Sequence, residues 1–211
     1  MMLPGSPALE RLVVYQKHIN IDFAAKLKAD LGPRPNLEEV FRLALPYHHP
    51  EPPARWMKTH GDGYVFMSPS NDMRYLGSVV LKPSELTTRR FHGSVVGIVG
   101  LLVGFGSNFL NVVQSKNRLV LRNGSHRAYA LRDLGVTHAP AIVQTIESPD
   151  DLRVADGGAL RDNPELYLDN PRPSMLKDYF NPRLRKVITV PRQLRQIRIE
   201  YETQEVFVPA L

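Results

Sequence analysis

The stretch RLVLRNGSHRAYALRDLG, residues 118–135, limits the possible folds more than any other. Its first residues read as a strand, Asn-Gly marks a tight turn, and an Ala- and Leu-rich helical run follows that stops at Gly135. The charges inside the stretch break a local rule. His126 and Arg127 fall in the first helical turn, where unpaired N–H groups and the positive dipole end favour carboxylates over cations. Gly124 lets the chain turn sharply and removes a side chain that would obstruct a ligand. The N–H groups of Ser125, His126 and Arg127 would then point outward as an anion site, with a bidentate grip from Arg127 and a donor or proton carrier in His126. An equally compatible alternative is structural: Arg127 pairs with a carboxylate such as Glu85 or Asp133, and His126 is a surface residue.

With 211 residues and 43% apolar content, the chain can form one domain with extensions or two small ones. It has no cysteine, which excludes disulfides, thiolate metal sites and cysteine nucleophiles. A net charge of +6 leans toward polyanionic partners, nucleotide or nucleic acid. The opening MMLPGSPALERL has no basic-then-apolar signal pattern, and SVVGIVGLLVGFG (94–106) is too short and glycine-broken to span a bilayer. The expectation is a soluble cytoplasmic protein with no membrane partner.

Along the chain, residues 7–31 are expected to carry a helix capped by Ser6, with Phe23, Leu27 and Leu31 recurring after a β-like LVVY. A second helix starts at the cap Asn36, places Glu38 and Glu39 in its first turn and stops at Pro46. HHPEPPARW (48–56) reads as an extended linker, with His48 and His49 as loop residues or metal ligands. GYVFMSPSNDMRYLGSVVL suggests a hairpin around SPSND, and VVLKPSEL a strand ending in a turn. Residues 91–105 read as a buried helix whose glycines serve close packing. NFLNVVQSKNRLVLRNG gives two strands, APAIVQTI (139–146) a buried strand, and 147–174 irregular connection. KVITVPRQLRQIRIEYETQEVFVP alternates as two strands or a long hairpin, with Pro191 at an edge or bend.

The run VLRNGSHRAYALRDLGVTHAPAIV, with VVLKPSEL upstream, resembles the ParB/sulfiredoxin superfamily: a strand, a Gly-x-(His/Arg)-Arg turn, an Ala-rich helix, "LG", then a Val/Ile strand entered through Pro. The resemblance covers about residues 77–146. It implies an α+β, ParB/sulfiredoxin-like compact mixed-sheet domain at 77–146. Residues 1–76 would form an N-terminal extension of helices, Pro-rich linker and hairpin, and 147–211 a basic C-terminal extension with a β-hairpin, packed on the core. In that family the turn binds nucleotide phosphates. Carried over, Asn123, Gly124, Ser125, His126 and Arg127 form the phosphate loop, and Arg89, Arg90 and Ser94 are further candidates. Sulfiredoxin has its catalytic cysteine where this chain has Ser125, so sulfinic-acid repair is excluded. The segregation-type members carry a helix-turn-helix and a dimerisation domain that residues 147–211 do not resemble. What remains is the looser group of ParB-like proteins, some of which resemble nucleases or ATPases; the chain most resembles its small plasmid-borne suppressors of conjugative or oncogenic DNA transfer, which similarly lack the cysteine.

The function this resemblance implies is binding of ATP or another nucleotide with Mg²⁺, and hydrolysis of phosphoanhydride or DNA phosphodiester bonds. Arg127 and the turn amides would stabilise phosphoryl charge, His126 would move a proton, and Glu85 would position metal or water. The alternative is a non-catalytic nucleotide- or DNA-binding module that inhibits a partner such as a protein of a DNA-transfer system. For DNA, the basic stretch 172–198 supplies Arg183, Arg185, Lys186, Arg192, Arg195 and Arg198, with Tyr179 and Phe180 as stacking aromatics. The opposing reading is a solvated strand face kept soluble by arginines.

Overall fold

A computed structural model of the chain describes residues 6–47, 52–70, 72–85, 93–106, 108–115, 117–147, 151, 159–191 and 193–209. The fold is mixed α+β, and the chain divides into two compact units: residues 1–49 with 108–188, and 50–107 with 189–211. This division cuts the chain differently from the three-part partition expected at 76/77 and 146/147. Strand pairing is the reason, because the segments 73–81 and 98–105 pair with each other and not with the strands around residue 120.

The first unit is built on a four-stranded mixed sheet of β1 (Leu12–Val14), β7 (Arg118–Asn123), β6 (Asn111–Ser115) and β8 (Ile142–Thr145), in that spatial order. β6 and β7 form the antiparallel hairpin expected from SKNR, while β1–β7 and β6–β8 are parallel. Both faces of this sheet are covered. Leu12, Val14, Val112 and Leu121 pack into one cluster, while Val13, Val113 and Val120 pack on the other side with Leu160 and Ile146. That two-sided burial explains why LVV is continuously apolar, the pattern of a strand enclosed by two layers.

Three helices cover the first face. α1 (Ile21–Leu31) begins at Asn20, whose side chain accepts from the Phe23 N–H. The expected helix over 7–31 is therefore three elements, a 3-10 turn (Leu9–Arg11), β1 and α1, and its cap is Asn20, not Ser6. α2 (Leu37–Ala44) has the full capping box, with Asn36 and Glu39 exchanging side-chain and backbone bonds. α3 (Ser125–Asp133) buries Ala128, Tyr129, Ala130 and Leu131. It ends where Gly135 takes φ +82°, with Gly135 N–H on Arg132 O and Val136 N–H on Leu131 O, a Schellman closure. The connection 147–174 includes two short helices, Ala159–Asp162 and Pro164–Leu168.

The second unit contains two sheets. β2 (Arg55–Lys58), β3 (Gly63–Ser68) and β9 (Arg195–Glu200) form an antiparallel sheet with β3 in the centre. β4 (Met73–Leu81) and β5 (Ile98–Phe105) form a two-stranded antiparallel ribbon with a bulge between Tyr75 and Gly77, where Gly77 adopts φ +131°. Several expectations are corrected here. β3 and β4 are both strands, but each takes other partners, so SPSND is not a hairpin turn. Residues 98–105 are a strand, not a buried helix, and Val99 is 69% exposed. Its β-branched residues and repeated glycines disfavour a helix, and long-range pairing with β4 settles the outcome. Of the expected C-terminal hairpin only β9 forms among the described residues; residues 201–209 follow it without strand pairing there. β8 is also less buried than expected, since Ile142 is 43% exposed.

Candidate functional site

The turn at residue 124 is where strand, glycine and helix meet as expected. β7 ends at Asn123, whose Oδ1 accepts from the Gly124 N–H at 2.8 Å. Gly124 has φ +94°, a left-handed conformation that side chains rarely adopt. A Cβ there would lie 3.1 Å from Arg127 Nη2 and 3.3 Å from Leu110 Cα. The space kept open by this glycine is therefore occupied by the protein's own arginine and backbone. α3 starts immediately after, with no side-chain cap on its first N–H groups and no acid in its first turn.

The charge anomaly is resolved within the first unit. Arg127 is 5% exposed and its guanidinium points inward onto backbone carbonyls. Nη1 donates to the carbonyls of Leu43 (3.3 Å), Ala44 (3.4 Å) and Asn108. Leu43 and Ala44 close the last turn of α2, so a cation stands at the negative end of a second helix. Asp133, one of the carboxylates considered for Arg127, pairs with Lys28 of α1 instead.

His126 is also engaged. Its Nε2 accepts from the Asn20 N–H at 2.9 Å, and its ring meets Phe23 edge-on at 5.5 Å between centroids. Burial, then the neighbouring charges of His18 and Arg127, lower its pKa to about 4. At neutral pH it is an uncharged acceptor at the start of α1, with Nδ1 carrying the ring proton. Ser125 is buried beside it at 5% exposure. Residues that sequence reasoning missed are thus Asn20, Phe23, Leu43, Ala44 and Asn108. Two signals pointed to them: the Asn20 cap before IDFAAKL, and Pro46, which fixes the end of α2 and so its free carbonyls.

Glu85 and Ser94 lie in the second unit, and Arg90 and Arg89 lie outside the described residues, as do His48 and His49. Glu85 is exposed, and its Oε2 accepts from the Lys82 N–H at 2.7 Å; Ser94 is exposed ahead of β5. Among the described residues no group of three or more His, Asp or Glu side chains could hold a metal ion. A shallow cleft of about 490 Å³ in the second unit is lined by Lys58, His60, Asp62, Arg198 and Glu200.

The basic stretch divides between the two units. Arg183, Arg185 and Lys186 belong to the first and are exposed; Arg195 and Arg198 stand on β9 in the second; Arg192 lies outside the described residues. Arg195 Nε donates to Met73 O (2.7 Å), and Arg198 pairs with Glu200 (2.8 Å). The two aromatics are not exposed stacking platforms. Phe180 is stacked on Tyr129 at 4.5 Å with Arg132 over its ring, and the Tyr179 hydroxyl donates to Gln16 O. Burial raises the Tyr179 pKa to about 12.

No family model, curated protein or solved structure matches this chain. Among the described residues no helix is long and apolar enough to cross a membrane.

Proposed function

We propose that the chain is a ParB/sulfiredoxin-like binding module that seats the phosphates of a nucleotide such as ATP on the N-terminus of α3 and does not hydrolyse them. The carrying observation is the β7–Gly124–α3 junction. Gly124 at φ +94° delivers the strand directly into a helix with no side-chain cap hydrogen bond and no acid in its first turn, an arrangement suited to an anion at the first-turn amides. A neutral His126 keeps the positive dipole end free of a competing imidazolium. The binding reading is favoured over hydrolysis because His126 and Arg127 are committed to Asn20 and to α2. Mg²⁺ would arrive with the nucleotide, held by its phosphates and by water. On this reading the exposed Arg183, Arg185 and Lys186 offer DNA a salt-sensitive phosphate contact, and a role as inhibitor of a DNA-transfer protein needs no turnover.

The test is a titration of the ¹⁵N-labelled protein with ATP, CTP and GTP, each with and without Mg²⁺, together with phosphate release and DNA nicking. Shifts confined to the amides of Gly124–Arg127 without turnover are expected. Unmoved amides with every nucleotide would reject the seat. Phosphate release or nicking above background would replace the binding reading with the hydrolase.

A further inference from the structure

Edge strands that expose aromatic side chains invite pairing with another chain, and stable proteins usually blunt them. β2 is such an edge. It flanks β3 on one side of the sheet β2–β3–β9, and all four of its side chains are exposed, Trp56 at 68% and Met57 at 52%. Arg55 and Lys58 bracket these two residues, and among the described residues neither has a carboxylate partner.

The segment that follows β9 has the opposite character. Residues 201–209, YETQEVFVP, are exposed and join no strand among the described residues. Val206, Phe207 and Val208 stand 67%, 108% and 77% exposed. Glu202 and Glu205 are its charges, with no base, and neither is ion-paired among the described residues. An acidic, apolar, exposed segment thus matches a basic, apolar edge that has no strand partner on its outer side among the described residues.

We propose that residues 201–209 of one copy add as an antiparallel strand to the free edge of β2 in a second copy. The register that satisfies both charge and packing sets Glu205 opposite Lys58, Val206 opposite Met57 and Phe207 opposite Trp56. An ion pair, an apolar pair and an aromatic pair then follow one another across the two strands. Pro209, with no N–H, ends the ladder.

The same edge in its own chain is hard to reach. The segment leaves the sheet from β9, on the far side of β3, and its first N–H, at Tyr201, is held by Asp62 O at 3.0 Å. From there to the outer edge of β2 is three strand spacings, roughly 14 Å. The five steps from Glu200 to Glu205 span at most about 17 Å. That leaves little slack to pass around the β2–β3 turn at Thr59–Asp62.

Because the chain has no cysteine and a single tryptophan, the test is clean. Light scattering of the wild-type chain is expected to show a concentration-dependent dimer or larger species, with a blue shift of Trp56 emission. Ending the chain after Glu200, or Glu205→Lys, should weaken association at least tenfold while the melting temperature stays within a few degrees. Mixing Lys58→Glu protein with Glu205→Lys protein should restore it. Lys58→Cys protein mixed with Glu205→Cys protein should form a disulfide-linked pair under mild oxidation. A wild-type chain that stays monomeric at all concentrations overturns the proposal, and so does association that survives loss of residues 201–211. So does a disulfide that forms only within the doubly substituted chain.

Discussion

The Nε2 of His126 accepts a hydrogen bond from the backbone N–H of Asn20, 106 residues earlier in the chain. Asn20 caps α1 with its side chain while its own N–H is satisfied by α3, so one residue joins the starts of two helices. This contact requires a neutral imidazole, and that makes stability depend on pH. The folded pKa of about 4 lies below the ordinary 6.5, so the fold excludes the proton. The contribution is fully present above about pH 6.5 and is lost as pH falls toward 4. The shift corresponds to on the order of 3 kcal/mol. Urea unfolding at stepped pH should show stability declining over that window. His126→Gln retains an acceptor and should flatten the decline.

Arg127 brings a buried positive charge to the carbonyl end of α2. Arg127→Ala removes the donor from Leu43 O and Asn108 O, while Ala44 O keeps the Leu110 N–H, and opens a cavity; it should cost about 2–4 kcal/mol in chemical unfolding. Arg127→Lys keeps the charge but loses the planar donor array and should fall between. Amide exchange in the last turn of α2 should accelerate in both variants. A surface-like effect below about 0.5 kcal/mol would contradict the inward placement.

Gly124→Ala meets two obstacles at once, the positive φ and a Leu110 Cα at 3.3 Å. A loss of about 1–3 kcal/mol is expected, read as a drop of several degrees in melting temperature.

Phe180 stacks on Tyr129 and carries Arg132 on its other contact, so Phe180→Ala should destabilise the fold by about 3 kcal/mol. Arg183→Ala/Arg185→Ala/Lys186→Ala should leave stability nearly unchanged because all three are exposed. If the nucleic-acid contact holds, the triple variant should lower the salt dependence of DNA binding in an anisotropy titration without altering base preference.

Local signals were readable without coordinates. Asn36 with Glu39 three residues on and Pro46 beyond fixed α2, and the SKNR turn with Gly124 and Gly135 bounded β6, β7 and α3. What escaped was set by partners distant in sequence. IVGLLVGF is a strand because β4 pairs with it, and the β-like LVVY stands apart from the helix expected over 7–31 because β7 receives it. At the candidate site the misfit of His126 and Arg127 was visible. Its resolution was not: Asn20 and Pro46 mark helix ends, but no residue pattern says that His126 meets the N–H of Asn20 or that Arg127 meets the carbonyls of Leu43 and Ala44. Tyr179 and Phe180 were misread for a similar reason: a basic neighbourhood says nothing about the ring of Tyr129 beneath it.

The order in which the chain visits its two units sets a timetable for folding. It builds residues 1–49 of the first, 50–107 of the second, returns for 108–188, and only then supplies β9. On the ribosome β1, α1 and α2 must therefore wait through all of residues 45–117 for β7 and α3, their apolar faces uncovered. β3 waits longer still, with one edge vacant until β9 emerges. Nascent chains stalled before residue 188 should accordingly be sticky, protease-sensitive and attractive to chaperones, and should harden only as the final strand clears the exit tunnel.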